Sequence, residues 1–320
     1  MYIFILIPAL SALSSFLVIK NLSPKLKEQS ITGKDMHKTE EPLLPEMGGI
    51  AVASGFIVGI LSVIGFNQFA GRLTVVNLEY VFAAGLTVLI VALIGMVDDL
   101  LHVRQLVKAL TPLLAAFPLV AIKVGKTFLN LPVVGHVEMG LFYPLFLVPL
   151  GVTGASNAVN MLAGYNGLEA GLGIIMMGAL AFIGFSIESW TAFFILMSGL
   201  GATVVFFYYN WFPASIFIGD TGTLTIGAII AASVIIGDFE YAGMILIIPF
   251  VLDFILKAPH GMPKSFAKHE DGKLFCPEKR PAGLAQLVLK LSGGLSERAL
   301  VLILLGMESI FAALAVLYYL

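Results

Sequence analysis

Ten mostly apolar stretches, several of them close to twenty residues long, recur along this 320-residue chain and constrain it more than any other feature. They run over 2–19, 48–66, 80–97, 107–124, 141–156, 169–187, 190–209, 223–237, 241–257 and 299–319. About 20 apolar residues in a helix cross the hydrocarbon core of a bilayer. No stretch of ~10 residues alternates apolar and polar positions repeatedly, as a transmembrane barrel would. Composition agrees: 12% of residues are charged and 59% are hydrophobic, against about 25% charged in a soluble domain. A soluble two-domain enzyme, a disordered chain, a collagen-like fibre and a coiled coil are excluded. The predicted fold is an all-α polytopic membrane protein of about ten transmembrane helices. Residues 1–320 form a single integral membrane domain. The first stretch lacks a basic segment before it, its lysines come after it, and it is expected to be a retained helix rather than a signal peptide.

The lysines and arginines orient the chain. Segments 20–47, 98–106, 157–168, 210–222 and 258–298, with the adjacent helix ends, carry 15 of the 18 basic residues. Arg72, Lys123 and Lys126 fall on the opposite side. The positive-inside rule then makes the five segments cytoplasmic and leaves both termini outside. The outer loop near 124–140 includes 131–138, which suits a small hairpin. Segment 281–297 is mildly amphipathic and suits a surface-lying helix. A formal charge of −2 lacks the basic excess of a nucleic-acid binder. The single cysteine, Cys276, leaves no internal disulfide and no cysteine-based metal centre.

The unusual polar residues gather at the cytoplasmic ends of the spans. Asp98-Asp99 closes the third, and Lys108 follows at the start of the fourth. Adjacent carboxylates at a membrane boundary are costly unless solvated or bound to a cation. Taken alone they read as a solvated helix end, and Lys108 as an ordinary positive-inside lysine. Asn157 and Asn160 share one helical face, and Gly164-Tyr165-Asn166-Gly167 then breaks the helix. The bland reading is a helix end followed by an Asn-Gly turn. The sharper one is a nucleotide or metal site.

In Phe212-Pro213-Ala214-Ser215-Ile216-Phe217-Ile218-Gly219-Asp220-Thr221-Gly222, Asp220 stands at a helix start. Backbone N–H groups and the helix dipole favour anions there, so a cation on Asp220 would bridge to phosphate. A plain N-cap aspartate is the alternative. Lys38 and Glu46 flank the second span in Gly33-Lys34-Asp35-Met36-His37-Lys38 and Pro45-Glu46-Met47-Gly48-Gly49. These suit a solvated loop equally, and Gly48-Gly49 suits close helix packing. His260 opens the last long loop. No P-loop, dinucleotide fingerprint or zinc-protease motif is present.

In combination, Asp98-Asp99, the Asn157-x-x-Asn160 run with Ala-Gly-x-Asn-Gly-Leu-Glu-Ala-Gly, and Phe-Pro-Ala-x-x-Phe-x-Gly-Asp-Thr-Gly resemble the polyprenyl-phosphate N-acetylhexosamine-1-phosphate transferase family. The resemblance covers nearly the whole chain. Asn166 stands where the bacterial branches typically carry Asp, and Pro45-Glu46 and Gly33-Lys34-Asp35 look like the dolichyl-phosphate branch found in eukaryotes and archaea. One departure stands out. The family's basic motif in the last cytoplasmic loop is reduced here to His260, with Lys257, Lys264 or Lys268 as sources of the missing charge.

The resemblance implies transfer of GlcNAc-1-phosphate from UDP-GlcNAc to a polyprenyl (dolichyl) phosphate, with release of UMP. This is the first step of lipid-linked oligosaccharide assembly for protein N-glycosylation. It implies Mg²⁺, or Mn²⁺ in its place, held by Asn160 and Asp220. It implies Asp98, Asp99 and Lys108 as catalytic residues, with Lys38, Glu46, Asn157, Gly164, Asn166, Phe217 and His260 binding substrate. Asp98 is assigned to the lipid phosphate and Asp99 to the metal side. The expected partners are the two substrates and the lipid bilayer, not nucleic acid; a homodimer is left open. The membrane is the cell membrane in a prokaryote, archaea foremost, or the endoplasmic reticulum in a eukaryote. Alternatives are a bacterial-type transferase using undecaprenyl phosphate and another UDP-sugar, and a secondary transporter. A transporter would place its ionisable groups near the midplane. Only Glu308 sits mid-span, and the sequence offers no role for it.

Overall fold

A computed structural model describes residues 2–125, 128–131, 135–263, 266–277 and 279–320. It opens with α1 (Tyr2–Glu28), a two-stranded ribbon β1 (Thr32–Lys34) and β2 (Leu43–Pro45), α2 (Gly49–Ala70) and α3 (Leu78–Leu101). Three short helices follow, α4 (Gln105–Leu110), α5 (Pro112–Ala115) and α6 (Phe117–Ala121). The hairpin β3 (Phe128–Leu131) and β4 (Gly135–Glu138) comes next, pairing Leu131 with Gly135. A π-helical turn, Tyr143–Leu147, leads into α7 (Val148–Met161), then α8 (Leu168–Ser186), α9 (Trp190–Asn210) and α10 (Gly219–Gly237). The chain ends with α11 (Glu240–Leu246), α12 (Ile248–Lys257), the hairpin β5 (Lys268–Glu270) and β6 (Lys273–Phe275), α13 (Leu284–Ser292) and α14 (Glu297–Tyr319).

Seven described helices are long and apolar enough to cross a membrane: α1, α2, α3, α8, α9, α10 and α14. The pair Glu240–Leu246 and Ile248–His260, bent by 48°, makes an eighth if it is one span. The remaining two expected spans are helical but irregular. Pro112 and Pro118 fall where 105–121 divides into short helices, and Pro144 and Pro149 are the second residues of the π turn and of α7, which follows it without a gap. Each proline removes a backbone donor from the helical ladder. The structure thus describes a polytopic membrane protein.

Segment boundaries differ from the sequence reading by several residues, and two of the differences change a loop. Helix α1 runs on to Glu28, so segment 20–47 begins as helix. Within 281–297, where Glu297 already begins α14, the amphipathic stretch is the α-helix Leu284–Ser292. Its buried Leu284, Ala285 and Leu289 turn towards protein, and α13 packs on α12, α14 and β6.

Helix α10 is the hub. It is buried from Thr221 to Gly237 and packs against α3, α7, α9 and α2. Absent side chains allow the closest crossing. A Cβ on Gly49 would lie 2.0 Å from the Gly222 nitrogen, and one on Gly95 would lie 2.6 Å from the Thr221 Cα. The packing reading of Gly48-Gly49 therefore holds. Their N–H groups donate to the carbonyls of Phe217 and Ile218, each at 2.8 Å. The starts of α2 and α10 and the end of α3 thus meet at one end of the bundle.

Candidate active site

The adjacent acids Asp98 and Asp99 diverge as neighbours on a helix must. Asp98 is buried; its Oδ1 accepts the Val103 N–H at 2.9 Å, and its Oδ2 pairs with Lys108 at 2.7 Å. The Lys108 ammonium also pairs with Asp220. Asp99 turns the other way, onto the first turn of α10. It accepts the N–H groups of Asp220 (2.6 Å) and Thr221 (2.9 Å) and the Thr221 hydroxyl (2.6 Å). Asp99 therefore satisfies donors that a helix start leaves free, and it holds Asp220 in place. Gly219 has φ +67°, and a Cβ there would meet the Asp99 carboxylate at 2.7 Å. The geometry divides the pair: Asp98 meets Lys108, which also pairs with Asp220, and Asp99 braces the start of α10.

Asn160 comes in from α7. Its Oδ1 accepts the Thr223 hydroxyl at 3.1 Å, one helical turn from Asp220. Asn157 points elsewhere. Its amide donates to the Ala109 carbonyl at 3.1 Å and the Thr153 carbonyl at 2.8 Å, tying α7 to the helix that carries Lys108.

The donor set here is oxygen-rich and hard. Asp98 and Asp220 meet at Lys108, the only cation paired with the two carboxylates among the described residues, and the Asn160 amide oxygen lies against Thr223, one helical turn along α10. Hard divalent ions such as Mg²⁺ take such oxygens. The residues fit that group.

A second cluster lies on the loop between α1 and α2. Lys38 pairs with Asp35 at 3.2 Å and with Glu297 at the start of α14. Asn166 joins them: its N–H donates to Glu297 at 2.8 Å and its amide to Asp35 at 3.1 Å. Asp35, His37 and Glu297 offer ligand atoms within 4.8 Å of one another; here the Lys38 ammonium supplies the cation between the carboxylates. Lys38 and Arg298 both stand at the Phe212 ring, 4.3 and 4.5 Å from its centroid.

The Gly164–Gly167 break is a built turn. Gly164 (φ +112°) and Gly167 (φ +84°) take left-handed backbone, which favours glycine. The Gly164 N–H donates to buried Glu169 at 2.5 Å, and the Gly167 N–H donates to Asn210 at 3.1 Å. Phe217 and Glu46 are neighbours, since a Cβ on Gly33 would lie 3.0 Å from a Glu46 carboxylate oxygen and 3.3 Å from the Phe217 ring. The Phe217 N–H donates to the Pro45 carbonyl at 2.8 Å. That bond joins the two clusters along one strip of chain.

His260 is exposed, with Nδ1 against the Leu256 carbonyl at 3.0 Å. Lys257 is turned into the protein. It is buried, pairs with Asp253 at 2.7 Å and donates to the Met161 carbonyl. Lys268 pairs with Glu270 on the surface, and Lys264 lies outside the described residues.

His37 stacks on Tyr165 with centroids 4.5 Å apart, and its Nε2 accepts the Ala267 N–H. Burial first, with Lys38 adding to it, pulls the His37 imidazole down to about 4. Burial and then the Glu297 charge push the Tyr165 phenol up. Between about pH 4 and the unfolded value near 6.5, the unfolded chain binds the His37 proton and the folded chain does not. Stability therefore rises with pH across that window, by roughly 3 kcal/mol from this one group. His37→Gln is expected to flatten the rise in melting temperature between pH 4.5 and 7 in detergent. An unchanged slope would show that His37 is not held neutral.

The model of glycosyl transferase family 4 matches residues 81–238, which hold Asp98, Asp99, Lys108, Asn160 and Asp220. A Saccharolobus solfataricus protein, provisionally named a UDP-N-acetylglucosamine–dolichyl-phosphate N-acetylglucosaminephosphotransferase, is 39% identical over 98% of this chain and 96% of its own. The chain belongs to glycosyl transferase family 4. A Sulfolobus acidocaldarius protein of the same provisional name is 34% identical over 91% of this chain and 89% of its own. The Dictyostelium discoideum enzyme of that name is 28% identical over 92% of this chain and 83% of its own. All three names are of the dolichyl-phosphate branch, to which the Asn166 and Pro45-Glu46 motifs pointed.

Several residues packed around these side chains carried no usable sequence signal of their own. Glu297 and Arg298 look like first-turn charges, and Asp35 and Thr221 stand only as members of a motif with no role attached. Thr223 and Asn210 look like ordinary helix residues until α10 is packed against α3, α7 and α9.

Proposed function

We propose that the chain transfers N-acetylglucosamine-1-phosphate from UDP-GlcNAc to a polyprenyl phosphate of the dolichyl type, releasing UMP. The observation that carries this reading is the Asp98–Lys108–Asp220 group beside Asn160, with Asp220 at a helix start. A secondary transporter would place its ionisable groups near the midplane, whereas these carboxylates lie at the end of α3 and the start of α10.

In the reaction an acceptor phosphate oxygen attacks the donor β-phosphorus. The bond from that phosphorus to the bridging oxygen breaks, and UMP leaves with the electron pair. Two anions must meet, so repulsion is the main barrier. Asp220 and Asn160 would hold a divalent ion, which would supply charge neutralisation for the two reacting phosphates. Lys108 offers a point cation to phosphate oxygens, and Asp98 aims it. A general base adds little, because a phosphate monoester has a second pKa near 6 and is mostly ionised at neutral pH. Asp99 keeps Asp220 at its place on α10. Phe217 stacks on the uracil, and Asn166 with its neighbouring backbone meets the base edge. A donor panel in detergent with Mg²⁺, scored for UMP release, tests the reading: UDP-GlcNAc is expected to be preferred. UMP release from another UDP-sugar in preference would favour the alternative donor.

The full topology is ten spans with both termini outside, the site cytoplasmic and the chain in a cell or endoplasmic-reticulum membrane. It is supported by the distribution of basic residues. With Cys276 replaced by Ala, a cysteine at Lys273 is expected to be shielded from impermeant reagent in intact cells and one at Gly135 to be labelled. The reverse pattern would separate the site from a cytosolic nucleotide.

A further inference from the structure

Glu297 lies in the first turn of α14, just after the N-cap Ser296. An acid there ordinarily faces water and complements the helix dipole. Here it is only 4% exposed and both oxygens are engaged. Oε1 accepts the Asn166 N–H at 2.8 Å, and Oε2 pairs with Lys38. Asp35 reaches the same two residues from the other side, accepting the Asn166 amide at 3.1 Å and pairing with Lys38 at 3.2 Å. Two buried carboxylates thus fix Asn166 by its backbone and its side chain, and fix Lys38 by its ammonium.

The next residue, Arg298, stands over Phe212, the ring that Lys38 also faces. Phe212 begins the segment that ends in Phe217 and Asp220. The start of α14 therefore ties together the α1–α2 loop, the 164–167 turn and the 212–220 segment. Lys38, with Asp35, lines a cavity of about 380 Å³ on this side. Removing the Glu297 carboxylate would orphan the buried Asn166 N–H and leave Lys38 with a single partner.

We propose that Glu297 is a positioning residue for the nucleotide donor, acting through Asn166 and Lys38 without touching the reacting phosphates. This rests on the reading that the chain uses a UDP-sugar.

The test uses the full chain in detergent with UDP-GlcNAc and a polyprenyl phosphate. Glu297→Gln keeps an acceptor for the Asn166 N–H and the side-chain shape, but discharges the Lys38 pair. The donor KM is expected to rise about tenfold, the scale of one charged hydrogen bond. The expected kcat stays within about threefold, with the acceptor KM and melting temperature near wild type, because the reacting groups are untouched. Glu297→Ala is expected to raise the donor KM further. Lys38→Met should raise it too, and adding Glu297→Gln to Lys38→Met should do little more, since the residues act as one unit.

An unchanged donor KM in Glu297→Gln overturns the proposal. So does a uniform fall in kcat, acceptor use and melting temperature, which would mark a merely structural residue. If neither Glu297 variant folds, Lys38→Met decides alone: an unchanged donor KM overturns the proposal and a raised one supports it. Wild-type protein that releases no UMP removes the transferase reading before any variant is made, and the proposal falls with it.

Discussion

Asp220→Asn is expected to cut Mg²⁺-dependent UMP release by about 10²-fold or more, the scale of losing a preorganised electrostatic stabiliser. The substitution keeps the side-chain shape and removes the charge that pairs with Lys108. Lys108 keeps Asp98 at 2.7 Å, so the fold has no reason to open. The loss should therefore appear in turnover and not in melting temperature. Steady-state UMP release across a Mg²⁺ titration checks it, and near-normal turnover at saturating Mg²⁺ would take Asp220 out of the site.

Asp99→Ala should do more damage to the protein itself. It removes the acceptor of three donors at the start of α10, two N–H groups and the Thr221 hydroxyl. Leaving a buried donor unsatisfied costs about 1–3 kcal/mol, and losing an N-cap typically costs about 1 kcal/mol. A total of roughly 3 kcal/mol is a large share of the 5–15 kcal/mol that hold an ordinary domain. Activity should fall with stability, because the turn that loosens carries Asp220. Asp98→Asn should behave differently. It can still accept the Val103 N–H, so stability should hold while turnover falls. Thermal unfolding in detergent, read beside UMP release, separates the two. Equal effects of Asp98→Asn and Asp99→Ala on melting temperature would contradict the division of roles.

The sequence made the membrane class and most spans readable because bilayer thickness sets a single length scale for apolar helices. Two of the expected spans are less regular than an apolar run suggests: prolines break 105–121 into short helices, and 143–161 begins as a π-helical turn before it becomes α7. The site residues Asp98, Lys108, Asn160 and Asp220 were legible as rare polar groups at span ends. Their partners were not. The turn of Asp99 onto α10 depends on Gly49, Gly95 and Gly222 letting three helices approach, a feature of packing rather than of motif. Glu297 is separated from Lys38 and Asn166 by most of the chain, so neither spacing nor periodicity could bring it to them. Lys257 shows the converse. Its place beside the last loop made it one source of the charge missing around His260, whereas it lies buried with Asp253 and ties α12 to the end of α7. Glu308 is fully buried in α14 with neither carboxyl oxygen hydrogen-bonded to a described residue, and nothing in the structure assigns it a task.

The most direct test of the central claim follows the phosphorus atom. UDP-GlcNAc labelled with ³²P at the β-phosphate is incubated with the purified chain, Mg²⁺ and a polyprenyl phosphate. Phosphosugar transfer predicts that the label moves into the lipid phase together with the sugar, in one-to-one ratio with UMP. Sugar entering the lipid while the label stays in water as UDP would contradict it, because the bond broken would then be the glycosidic one and not the pyrophosphate.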